Sequence, residues 1–68
     1  MDTVSNTVGR EVRRLRKEQG LYQHELAGRA RIATQTVRNV EAGRHNADMA
    51  TLSKLAKALG VSLADLVG

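Results

Sequence analysis

Sixty-eight residues make one small domain, near the lower size limit for a core without metal or disulfide. The chain has no cysteine, which excludes a disulfide framework and a thiolate metal site. No apolar run approaches the roughly 20 residues of a membrane span, and no signal-peptide pattern opens it, so a soluble cytoplasmic chain is expected. Eleven Lys and Arg against seven Asp and Glu give a formal net charge of +4, a balance that suits a polyanion without requiring one.

Residues 1–7 are polar and lack periodicity, so they are expected to be a flexible N-terminal tail ahead of a single domain at 8–68. A first helix should start near Asn6 or Thr7, either of which can cap it. Val8, Val12 and Leu15 recur at i, i+4, i+7 and form one apolar stripe, with Arg10, Arg13, Arg14 and Lys17 on the solvated remainder. Gly20 ends this helix as a left-handed residue, and Leu21 folds back on the last turn.

A second helix is expected from about Gln23 to Arg29, its apolar stripe made by Leu26, Ala27 and Ala30. A third runs from about Thr34 to Ala42. Val37 and Val40 at i, i+3 turn one side of it inward, while Thr34, Gln35, Arg38 and Asn39 point elsewhere. Gly43 terminates it, and Arg44 to Ala47 form a loop. Asp48 then caps a fourth helix whose apolar face is Leu52, Leu55, Ala56 and Leu59, closed by Gly60. Ser62 and Asp65 make a capping-box-like start for a short fifth helix with Leu63 and Leu66.

Catalysis is not expected, and no cofactor is implied. His24 and His45 fall on different elements without metal-ligand spacing; Ser5, Ser53 and Ser62 fall in the tail, in a helix and at a cap. With one tyrosine as the only aromatic residue, base-stacking platforms for single strands are nearly excluded, so a nucleic-acid partner would be duplex. A short helix with a polar outer face has the right width for a DNA major groove.

The stretch QHELAGRARIATQTVRNVEAG resembles the DNA-binding helix-turn-helix of phage repressors, Cro proteins and Xre-type bacterial regulators. The likeness runs from Val8 to Val67: VGREVRRLRKEQGL resembles the family's first helix, QHELAGRA its second, TQTVRNVEAG its third, and DMATLSKLAKALGVSLADLV its last two. It implies an all-α fold, a compact five-helix lambda-repressor-like DNA-binding domain with the helix-turn-helix at 23–43. It also implies a sequence-specific regulator of transcription, a repressor, that reads double-stranded DNA with the third helix. The alternative from another class is a protein-interaction module of the same fold, such as an antitoxin or bridging adaptor.

Carried over residue by residue, the resemblance makes Gln23 an anchor on the DNA backbone, at a helix start that already favours phosphate. Thr34, Gln35 and Thr36 become the turn that enters the groove. Gln35 is the leading base reader, since glutamine can pair with adenine. Thr34 either reads a base or is consumed by capping, and Thr36 touches phosphate. Arg38 and Asn39 reach a guanine edge or a backbone oxygen, with a solvated surface as the plain alternative for Arg38. Arg44 neutralises phosphate beside the groove, and His45 and Asn46 are weaker candidates in the same loop. Arg16 and Glu41 match positions that form a partly buried ion pair between the first and third helices. Two copies on an inverted-repeat operator are expected, a homodimer at least on DNA. Leu63, Leu66 and Val67 are candidate dimer contacts, against a role in the core of their own chain.

Four positions depart from the family pattern. Tyr22 stands where relatives cap the second helix with Ser or Thr, and Ala33 where they cap the third, so Thr34 is expected to cap one residue later. Arg31 stands where relatives often have Gly, and a left-handed arginine there costs on the order of 1 kcal/mol. Ala47 replaces the usual proline.

Overall fold

A computed structural model describes residues 3–44 and 48–67. Among them are five α-helices and no strand: α1 Thr3–Glu18, α2 Gln23–Ala30, α3 Thr34–Glu41, α4 Met49–Leu59 and α5 Leu63–Val67. The first helix reaches back beyond the expected start, to Thr3, so Asn6 and Thr7 lie inside α1 rather than at its N-cap. His45, Asn46 and Ala47 lie outside the described residues.

Several helix ends are set by identifiable chemistry. Gly20, Gly43 and Gly60 adopt positive φ and close α1, α3 and α4. Asp48 caps α4, its Oδ1 accepting from the Thr51 N–H at 2.8 Å. At α5 the box is reciprocal: Asp65 N–H donates to Ser62 Oγ at 3.2 Å, and Ser62 N–H donates to Asp65 Oδ2 at 3.1 Å. The C-terminus of α4 has a further partner that helix patterns do not reveal, the Gln19 side chain donating to the Leu59 carbonyl at 2.7 Å.

One core joins all five helices. Val12, Leu26, Val37 and Leu55 are fully enclosed, and Val40, Ala27, Ala56, Leu59 and Leu66 complete its centre. The buried line on α1 is Val8, Val12 and Arg16, not Val8, Val12 and Leu15; Leu15 is half-buried against the core's edge. Arginine can occupy that line because its guanidinium is fully partnered, as set out below. α1 crosses α3 at Gly9, where an added Cβ would fall 2.2 Å from the Val40 carbonyl oxygen and 3.1 Å from that of Glu41. Both obstacles are backbone, so only glycine lets the two helices come this close.

α3 is held by α1 on one flank and α2 on the other, while α4 braces α2 and α5 closes on α1 and α4. Leu66 is consumed by this core at 1% exposure, so it is not available as a dimer contact; Leu63 is half-buried, and Val67 remains exposed.

Candidate nucleic-acid interface

The outer surface of α2 and α3 is assembled from the bottom by four local features. Tyr22 occupies the N-cap of α2 without a side-chain cap of its own. Half a capping box replaces it: the Glu25 carboxylate reaches back and accepts the Tyr22 N–H at 2.8 Å. The tyrosine ring is exposed and stacks on His24, with centroids 5.7 Å apart, instead of packing into the core.

Arg31 makes the turn. It sits in the left-handed region at φ 58, ψ 46, and the chain closes over α2 through Ile32 N–H to Ala27 O at 3.0 Å and Arg31 N–H to Gly28 O at 3.3 Å. Ile32 packs against the core's edge and locks the angle between the two helices.

Ala33 is the N-cap of α3, with no side-chain cap, and Thr34 is the first helical residue. Thr34 therefore does not cap the helix; its side chain belongs to the outer first turn, beside Gln35 and Thr36. Gln35 and Arg38 are exposed, and Thr34, Thr36 and Asn39 are half-buried, whereas Val37 and Val40 are enclosed. Gln35 Nε2 donates to Asn39 Oδ1 at 3.1 Å across one turn, so these two side chains share one outward patch.

A polar chain ties this patch to the core. Arg16 donates through Nε to Glu41 Oε2 at 2.7 Å and through Nη2 to Oε1 at 3.0 Å. Its third direction is filled by Nη1 to the Leu21 carbonyl at 2.8 Å. The side chains are 10% and 4% exposed, which makes the pair buried and bidentate. Gln23 then donates Nε2 to Glu41 Oε1 at 3.1 Å, and its own Oε1 takes a long contact of 3.4 Å from Arg38 Nε. Gln23 is thus a bridge between the buried carboxylate and an exposed arginine. A solvated first-turn glutamine would make neither contact, and no periodicity in the sequence signals this pairing across 18 residues.

Arg44 follows α3, its backbone N–H bonding Asn39 O at 2.9 Å, with an exposed side chain. Gln23, Gln35, Arg38, Asn39 and Arg44 are accordingly placed along α3 and the start of α2. On α1, by contrast, Arg14 is occupied by Glu11 and Glu18 on its own helix. Its hydrogen bond holds the Glu11 carboxyl below the ordinary carboxylate range. Among the described residues the exposed large hydrophobics are Tyr22, Met49 and Val67, none of them on α3. No described helix is long and apolar enough to cross a membrane.

With this geometry in place, the comparisons with known proteins agree with one another. A family model described as helix-turn-helix matches residues 12–66. An uncharacterised HTH-type transcriptional regulator of Sinorhizobium fredii is 45% identical over 60 residues, covering 88% of this chain and 78% of that one. The immunity repressor protein of Bacillus phage phi105 is 36% identical over 62 residues, 91% of this chain but 43% of the repressor. Among solved structures, the restriction-modification controller protein C.AhdI from Aeromonas hydrophila superposes with a TM-score of 0.88 at 32% identity, covering 91% of this chain and 94% of that one.

Proposed function

This chain belongs to the helix-turn-helix family, and from that premise we propose that it is a sequence-specific double-stranded DNA-binding regulator of transcription, a repressor, whose α3 reads the major groove. The observation that carries this is the division of α3. Val37 and Val40 are buried at 0% and 2% exposure, while Gln35 and Arg38 stand in solvent on the other side.

Gln35 is the principal base reader, since its amide offers the donor and acceptor pair that adenine matches. Gln35 and Asn39 share one hydrogen bond in the free chain and exchange it for base edges on docking. Thr34 lies beside Gln35 at the helix tip and Thr36 faces phosphate. Gln23, at the first position of α2, anchors the DNA backbone while its amide bridges Glu41 and Arg38. Arg38 reaches a guanine edge or a phosphate, and Arg44 neutralises phosphate.

One module of this size covers too little DNA for tight specific binding. Two copies on an inverted repeat supply the rest, with half-sites about 34 Å apart. The longest dimension of the chain, 30 Å, lets two copies sit side by side at that spacing. Val67 and the exposed part of Leu63 are the remaining candidates for contact between copies.

Selection of bound duplexes from a random pool tests the reading and should return a symmetric site. Affinity should fall steeply with salt, log K declining by about 0.9 per contacted phosphate for each tenfold rise in concentration. No enrichment, together with random-duplex affinity flat in salt, would sink it in favour of an adaptor of the same fold.

A further inference from the structure

Of the chain's eleven Lys and Arg, four line one open cavity of about 450 Å³ between the end of α2 and α4: Arg29, Arg31, Lys54 and Lys57. Among the described residues, Ala30 and Ala58 complete its lining. Among the described residues, no carboxylate borders it. None of the four cations makes an ion pair or side-chain hydrogen bond with a described residue, whereas Arg14, Arg16 and Arg38 all do. None of the described acidic residues lines the cavity.

Like charges gathered around one cavity repel, and the repulsion is relieved when an anion enters. Backbone conformation gives a second, independent reason. Arg31 is the one described non-glycine residue with positive φ. Glycine would hold the same turn without strain, so the position carries a guanidinium at a conformational cost.

We propose that this α2–α4 cavity is a binding site for a compact, multiply charged anion of the phosphoanhydride class, an inorganic polyphosphate or the phosphate chain of a nucleotide. Guanidinium forks and ammonium groups are the donors that phosphate oxygens match best. The volume falls within the range of small-ligand sites, and two alanine methyls leave the floor short and apolar. The cavity draws on the last turn of α2 and on α4, with nothing from Gln35, Arg38 or Asn39, so the inference stands independently of the duplex reading.

Calorimetric titration of the intact chain with tripolyphosphate at fixed ionic strength tests it. Saturable binding is expected, and the double variant K54Q/K57Q, altered at two exposed positions, should bind about tenfold more weakly. R38A should bind tripolyphosphate as the native chain does, and K54Q/K57Q should select the same duplex as the native chain. Equal affinity in K54Q/K57Q, or loss in R38A, would overturn the proposal, as would binding of poly-glutamate with none of tripolyphosphate. Within the supported class, a nucleoside triphosphate that binds more tightly than tripolyphosphate identifies a nucleotide. Equal binding identifies the phosphate chain alone.

Discussion

The two sides of α3 obey different rules. Its inner side meets α1 through a glycine contact with no room for a Cβ and a buried ion pair in which every guanidinium nitrogen has a partner. Its outer side and the turn before it carry an uncapped start, a strained arginine, and side chains bonded chiefly to one another. A substitution inside should therefore register as lost stability, and one outside as altered binding. The fold tolerates looseness on the outer side, where we propose that DNA docks, because the inner side fixes the position of α3.

Glu41→Ala attacks the contrast hardest. It strands a buried guanidinium and should cost about 3 to 5 kcal/mol, lowering Tm by more than about 10 °C in thermal unfolding. An unchanged Tm would mean that the inner side is as forgiving as the outer. Gly9→Ala tests the same side without touching charge. Its Cβ meets backbone oxygen, and chemical denaturation should show a loss of about 1 to 3 kcal/mol, although alanine is the better helix former. Arg31→Gly should move stability the other way, a gain of roughly 1 kcal/mol as left-handed strain is relieved. Gln35→Ala marks the small end: stability within about 0.5 kcal/mol of native, with relaxed sequence choice in duplex selection.

Much of this was legible in the chain because it is local. Apolar spacing and punctuation by Gly20, Gly43, Asp48, Gly60 and Ser62 placed the helix boundaries to within a residue or two, apart from the start of α1. The left-handed Arg31 was hinted at only by the family resemblance, which often has glycine at that position; the residues themselves left the turn's backbone open. What escaped was long-range. Gly9 is an oddity only once α1 is known to extend back to Thr3, which puts it in a helix interior; from a start at Asn6 or Thr7 it reads as part of a first turn. Gln19 on the Leu59 carbonyl, and Gln23 between Glu41 and Arg38, pair residues far apart in the chain, and periodicity carries no such information. Lys54 and Lys57 read as ordinary surface charge until α2 is laid beside α4 and brings Arg29 and Arg31 to the same cavity.

The alternation of inward and outward positions along α3 has a practical corollary. Val37, Val40 and Glu41 hold the helix, so residues 34, 35, 36 and 39 can be randomised together, with Arg38 kept to preserve its contact with Gln23. On the proposed reading, such a library should vary the duplex site that is selected while leaving the core contacts of α3 in place, a compact starting point for engineering new specificities.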